Sequence, residues 1–267
     1  MTQVATIKQI ATSVVSNTEV IADTYLIWLN SPTLVEAQPG QFLMVRCEGE
    51  TLLRRPLSIH QLTTTEGNTK LALFFSIVGK GTHWLSRCKA GDTLDILAPL
   101  GNSYTIHPSS HNLLLVAGGI GIAPLLFLAQ RAIAQGYAVK ILLGATSASR
   151  LYPQSLLPPE AELIIATDDG STGRKGMLTD ILSEHIDQAD QIFVCGPRPM
   201  YLRMANMGFK EKPIQLSLET RMGCGFGACY SCTIKTKHGL MQVCKDGPIF
   251  ELNVIRWDGM NLKWDAN

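Results

Sequence analysis

Four cysteines crowd into one short stretch of the chain, spaced Cys224-x4-Cys229-x2-Cys232-x11-Cys244 and interleaved with Gly223, Gly225 and Gly227. Sulfur ligands this close together constrain the backbone more tightly than any hydrophobic pattern, because the loop must wrap around whatever they hold. The first three cysteines match the spacing of a plant-type 2Fe–2S loop, with a fourth thiolate further on. Such a cluster needs four soft, deprotonated ligands that share electron density with iron. The glycines suit a loop that must reach positive φ at neighbouring positions and aim N–H groups at sulfide. Zinc commonly takes one or two C-x2-C pairs, but only Cys229 and Cys232 form such a pair here. A disulfide set needs an exported chain, and residues Met1–Lys8 lack the charged head and apolar run of an export signal. The expectation is a 2Fe–2S cluster on Cys224, Cys229, Cys232 and Cys244, and hence an electron carrier.

The other cysteines, Cys47, Cys88 and Cys195, stand singly, giving an odd total of seven. That usage fits a reducing cytoplasm with a metal site better than a disulfide scaffold. A formal charge of only +1 argues against a nucleic-acid surface or a basic membrane patch. With 267 residues, the chain is long enough for two domains. Leu113–Ala129 is uncharged and nearly long enough to span a bilayer, but Gly118, Gly119, Gly121 and Pro124 interrupt it. It reads as a buried strand, a tight turn and a helix, and no membrane span is expected.

Up to about Leu100 the chain reads as short strands separated by turns: Val20–Leu29, Gln41–Cys47, Arg55–His60, Lys70–Val78 and Thr93–Ala98. Pro39-Gly40, Glu66-Gly67-Asn68 and Ala90-Gly91-Asp92 supply turn chemistry, and a short helix is expected to start at Thr82. This spacing predicts a small antiparallel barrel. From about Asn112 strands and helices alternate: strands at Leu113–Ala117, Val139–Leu143, Leu163–Thr167 and Gln191–Cys195, helices at Pro124–Gln135 and Thr179–His185. Continuous apolar runs between helices predict a parallel sheet covered on both faces. The fold expected is α+β and multi-domain: an antiparallel β-barrel flavin domain over residues 1–105, an α/β parallel-sheet nucleotide domain over 106–212, and a small C-terminal 2Fe–2S module over 213–267.

Gly118-Gly119-Ile120-Gly121 follows a strand and opens a helix, so unpaired N–H groups and a partial positive charge face a site where a pyrophosphate can approach. It is not the G-x-G-x-x-G fingerprint, because Pro124 stands where the last glycine would be; Pro suits a first helical turn. Cys195-Gly196-Pro197 closes a later strand at the carboxyl edge of the sheet, where such folds bind ligands, and the small Cys195 is the candidate beside a nicotinamide ring. A buried inert thiol is the alternative. In the first domain Arg55-Pro56-Leu57-Ser58 places a cation and a hydroxyl within an apolar strand, suited to a phosphate and an isoalloxazine edge, or simply to a solvated strand edge. Gly79-Lys80-Gly81-Thr82 adds a Gly-rich turn at a helix start.

Taken in order, the barrel with Arg55–Ser58, the sheet with Cys195–Pro197 and the late four-cysteine loop resemble the ferredoxin reductase-like flavoproteins. Within them the chain is similar to the electron-transfer subunits of the two-subunit, NAD-dependent dihydroorotate dehydrogenases. Glu219–Cys229 carries that resemblance most specifically, and Asp246-Gly247-Pro248-Ile249-Phe250 also looks like the family's ending. The resemblance implies FAD on Arg55, Pro56, Leu57 and Ser58, on Phe74, Phe75 and Ser76, and on Gly81 and Thr82. It implies NAD(H) over Gly118, Gly119 and Gly121 and over Cys195, Gly196 and Pro197. Electrons would pass between NAD(H) and FAD as hydride, and singly through the cluster between FAD and FMN in a separate catalytic subunit serving pyrimidine biosynthesis, in a complex of two copies of each.

Other partners fit the same modules, such as a hydrogenase or a ferredoxin:NADP transhydrogenase, and a cluster-based redox sensor is the reading from another class. Residues 145–150 lack an acidic group to clasp a ribose hydroxyl, while Arg150 suits a 2′-phosphate. The tail from Asn253, with Trp257 and Trp264, reads as a cap on the cluster module or as a partner surface. The six histidines are scattered, and none is given a role.

Overall fold

The computed structural model describes residues 7–258 apart from 32, 35, 50, 51, 66, 210 and 211. Strands β1 (Lys8–Ile21), β2 (Thr24–Asn30), β3 (Phe42–Val45), β4 (Arg55–Thr65), β5 (Asn68–Ser76) and β6 (Thr93–Leu100) close into an antiparallel barrel of order β1-β2-β5-β4-β3-β6. Helix α1 (Lys80–Ser86) lies between β5 and β6. Closure leaves no free edge, and Ile27, Leu43, Val45, Ile59, Leu73 and Ile96 fill the interior. The strand expected over Val20–Leu29 is instead the end of β1, a tight turn with Asp23 at φ 59°, and β2. A short polar side chain tolerates that left-handed turn, and the apolar residues on both sides hide it from a pattern reading.

Helix α1 starts at Lys80, not Thr82. Thr82 sits in its first turn, and its hydroxyl reaches back to accept from the N–H groups of Gly79 (3.2 Å) and Val78 (2.9 Å). The hydroxyl therefore caps the helix from inside it.

The second sheet is built from β7 (Asn112–Gly118), β8 (Ala138–Ala145), β9 (Glu162–Thr167), β10 (Arg174–Lys175), β11 (Gln191–Cys195), β12 (Ile214–Ser217) and, later in the chain, β15 (Ile249–Glu251). Its order is β10-β9-β8-β7-β11-β12-β15, with β15 antiparallel to β12 and the other pairings parallel. Helices α2 (Ile122–Ala134), α3 (Leu178–Leu182) and α4 (Arg198–Ala205) connect it. Pro124 lies in the first turn of α2, where a missing N–H is harmless, and Gly136 follows the helix at φ 87°. Phe127 of α2 joins the barrel core while Leu125 and Leu126 join the sheet core, so this helix is the keystone between the two bodies. Helix α3 is shorter than the Thr179–His185 expected, because the chain changes to a 3-10 turn at Ile186–Gln188.

Strands β12 and β15 lie within the stretch assigned by sequence to the cluster module, yet they complete the nucleotide sheet. The cysteine-bearing part is an excursion between them, containing only the hairpin β13 (Thr233–Thr236) and β14 (Gly239–Gln242) and the one-turn helix α5 (Val243–Asp246). Asn102, just after β6, clamps this excursion: its amide donates to the carbonyls of Asp246 (3.0 Å) and Ile249 (2.9 Å) and accepts from the N–H of Ile249 (2.9 Å). Among the described residues no helix is long and apolar enough to cross a membrane.

Candidate functional site

The paired arginines at the start of β4 have separate jobs. Arg54 is tied to Asp95, donating to its carboxylate at 2.7 Å and its carbonyl at 2.9 Å. Arg55 donates to the carbonyl of Leu53 at 2.9 Å and lies across the start of α1, so close that a Cβ on Gly81 would sit 2.6 Å from its Nε. Arg55, Gly81 and Thr82 are thus brought together, with the first turn of α1 beside a guanidinium, an arrangement suited to phosphate. Pro56, Leu57 and Ser58 follow, half-buried. Phe74 and Phe75 are both buried, one between the two bodies and the other in the barrel. Their rings do not face an open cleft, which leaves the backbone of this segment and Ser76, bonded to Thr24 at 3.0 Å, for a cofactor.

The Gly118–Gly121 turn and the Cys195–Pro197 turn meet at the carboxyl edge of β7 and β11. A Cβ on Gly121 would lie 2.0 Å from the Cys195 carbonyl oxygen, and one on Gly118 2.8 Å from Pro197. These glycines are therefore required by close approach of two backbones. Tyr201, fully enclosed, fixes the second turn: its hydroxyl accepts from the Gly196 N–H at 3.0 Å and donates to the Ser217 carbonyl at 2.7 Å. Together the turns wall a cleft of about 760 Å³, which extends past Thr146, Asp168 and Gly176 on one side and Glu219 and Trp257 on the other. Cys195 lines it, and burial raises its thiol pKa well above the ordinary range. It is a neutral, polarizable wall rather than a thiolate nucleophile. Surrounding protein raises the Glu219 carboxyl pKa, although the side chain still reaches solvent.

Two sequence readings change here. Arg150 donates to the Ala22 carbonyl at 2.9 Å, across to the barrel, and does not line the cleft. The acidic group missing after β8 is found one strand further on: Asp168 follows β9 and lines the cleft. Its signal was the Thr167-Asp168-Asp169-Gly170 run, passed over because it lies outside the first crossover. Trp257 stands against Tyr201, ring centroids 5.9 Å apart. The segment before it is clipped to the turn just after β13 through the Lys237 N–H to Val254 carbonyl bond (2.8 Å), consistent with a cap that also reaches the cleft. Trp264 lies outside the described residues.

In the cysteine loop each of the four sulfurs accepts a backbone N–H: Gly227 to Cys244 (3.1 Å), Ala228 to Cys224 (3.2 Å), Cys224 to Cys229 (3.4 Å) and Cys244 to Cys232 (3.4 Å). Such bonds stabilise sulfur that carries negative charge. Gly225 at φ 85°, Gly227 at 91° and Tyr230 at 58° provide the left-handed backbone that turns these groups inward. Among the described residues no three His, Cys, Asp or Glu side chains converge on a single-ion site. Hydrogen bonds from Ser231 lower the exposed Cys229 thiol to about 6, while burial pushes Cys244 up to about 12. A Cβ on Gly225 would sit 2.6 Å from Met44, and Met44 pairs with Pro56 across β3 and β4. The loop therefore rests one strand away from Arg55–Ser58.

A closed antiparallel barrel, a parallel sheet with a cleft at its carboxyl edge and a four-sulfur loop packed on the barrel define an iron–sulfur flavoprotein reductase of the ferredoxin-reductase fold. Residues 11–104 match the oxidoreductase FAD-binding domain, and residues 219–256 match the iron–sulfur cluster binding domain of dihydroorotate dehydrogenase B. The chain is 40% identical over 251 residues to the electron transfer subunit of dihydroorotate dehydrogenase B (NAD(+)) from Desulforamulus reducens, covering 90% of this chain and 95% of the relative. The Bacillus caldolyticus protein of the same name is 37% identical over 245 residues, covering 88% and 94%. The structure of an NADH-dependent reduced ferredoxin-NADP oxidoreductase superposes with a TM-score of 0.82 at 30% identity, covering 92% of this chain and 90% of that one. This chain belongs to the family of electron transfer subunits of dihydroorotate dehydrogenase B.

Proposed function

We propose that this chain carries electrons between NAD(H) and a separate, FMN-containing dihydroorotate dehydrogenase subunit, in the de novo synthesis of pyrimidines. When bound, FAD exchanges hydride with the nicotinamide and the 2Fe–2S cluster handles the same electrons one at a time. The observation that carries this reading is the cysteine loop: four sulfurs, each with its own N–H donor, packed against the strand beside Arg55–Ser58.

The chain's residues divide the work. Arg55, with the first turn of α1 at Gly81 and Thr82, holds the FAD pyrophosphate, while Pro56–Ser58 and the backbone of Phe74–Ser76 edge the flavin ring. Gly118, Gly119 and Gly121 let the NAD(H) pyrophosphate approach the start of α2. Cys195, Gly196 and Pro197 border the nicotinamide, and neutral Cys195 offers it a small, soft contact. Asp168 accepts hydrogen bonds from a ribose diol and repels a 2′-phosphate, which favours NADH over NADPH. Cys224, Cys229, Cys232 and Cys244 ligate iron. Exposed Cys229, flanked by exposed Phe226 and Tyr230, marks the face where the catalytic subunit docks. A cytoplasmic complex with two copies of each subunit completes the reading.

Reconstitution tests it. Co-expressed with an FMN-bearing dihydroorotate-oxidising subunit, the chain should co-purify and confer dihydroorotate-dependent reduction of NAD⁺. Co-purification with a hydrogenase subunit instead would overturn the choice of partner.

A further inference from the structure

His60 lies on β4 two residues beyond Ser58 and is fully buried. It occupies a bulge: β4 pairs with β5 at Ile59↔Leu73 and next at Gln61↔Ala72, leaving His60 as the extra residue. A bulge re-aims the side chain it carries, and here the imidazole meets the nucleotide domain. Nδ1 is 2.9 Å from the carbonyl oxygen of Ala123, in the first turn of α2, and Nε2 is 3.0 Å from the hydroxyl of Tyr152.

These partners fix the tautomer. A carbonyl only accepts, so Nδ1 carries the hydrogen; Nε2 then accepts, and the Tyr152 hydroxyl donates. Phe74 packs on both rings, with centroids 5.2 Å from His60 and 5.0 Å from Tyr152. Burial lowers the His60 pKa to about 4, which keeps the ring neutral as this geometry requires. An apolar residue would fill the same volume without the cost of burying two polar nitrogens. What the imidazole adds is direction, tying the strand behind Ser58 to the helix that begins directly after Gly121.

We propose that His60 is a positioning residue that holds the Arg55–Ser58 segment and the Gly118–Gly121 turn at the spacing hydride transfer requires. The inference rests on the flavin and nicotinamide assignments above. Hydride transfer is sensitive to small displacements of the reacting atoms, so loosening this tie slows the step while leaving both binding surfaces intact.

The test uses the full FAD-loaded chain. His60→Phe removes both hydrogen bonds and keeps a flat ring, whereas His60→Asn keeps a donor for Ala123. At saturating NADH the limiting rate of flavin reduction should fall on the order of tenfold in His60→Phe, with KM for NADH changed by less than about twofold. His60→Asn should recover most of that loss. Nitrogen NMR of the wild type should show a neutral His60 protonated at Nδ1, a readout independent of activity. An unchanged limiting rate alongside a lower Tm would make His60 a packing residue and overturn the proposal, as would protonation at Nε2. If His60→Phe does not fold, Tyr152→Phe removes a single hydroxyl and must still slow the limiting rate; an unaltered rate there overturns the proposal equally. A wild type whose flavin NADH does not reduce is a different failure, that of the proposed function itself.

Discussion

The dinucleotide cleft and the cysteine loop are both glycine-rich, yet glycine serves opposite ends in them. In the cleft, Gly121 lies beneath the Cys195 carbonyl because two buried strands bring their ends together, and two core clusters hold those strands in place. In the loop, Gly225 and Gly227 turn the backbone left-handed so that N–H groups reach sulfur. The loop's own regular structure is one two-stranded hairpin and a single helical turn. Folding alone makes the first site. The second has little apolar core of its own and is held by N–H···S bonds and by its contact with the barrel.

Removing a ligand should split the two regions most sharply. Cys229→Ser should cut electron delivery to the catalytic partner by on the order of 100-fold or more, while anaerobic NADH still bleaches the flavin. Loss of both activities would mean the regions are not separable. Matched glycine substitutions come next. Gly121→Ala places a Cβ 2.0 Å from a backbone oxygen, and should destabilise the whole chain by about 3 kcal/mol and lower its Tm. Gly225→Ala, at φ 85°, should cost about 1–3 kcal/mol locally, seen as lost iron and faster bleaching by chelators with little change in barrel melting. Equal global destabilisation by both would erase the contrast.

Smaller effects sharpen each side. Asp168→Asn should lower the NADH-over-NADPH ratio of kcat/KM by about tenfold, measured in parallel with binding of ADP-ribose and its 2′-phosphate. Unaltered selectivity would remove Asp168 from the ribose site. Tyr230→Ala should weaken partner binding by about fivefold without altering flavin reduction, read by titration of one subunit into the other.

Much of this was legible because its determinants are local. The Cys224–Cys244 spacing, the strand–turn–helix around Gly118–Gly121 and the apolar run ending at Cys195 each carry their own signal. What stayed hidden depends on distant partners. Nothing in Ile214–Ser217 says that it will pair with β11 and with β15 from beyond the cysteines. Arg150 looked suited to phosphate until a barrel carbonyl claimed it, and Asp168 gains its place only when β9 lies beside β8. His60 was unreadable because a bulge, set by cross-strand register, decides which way its ring points.

The central claim is that electrons taken from NADH reach iron held by the four cysteines. Electron paramagnetic resonance on anaerobic protein titrated with NADH tests it most directly. The account predicts the signal of a reduced 2Fe–2S cluster appearing as the flavin bleaches, and its absence in Cys229→Ser. Flavin that bleaches fully in iron-replete wild-type protein with no cluster signal would contradict it.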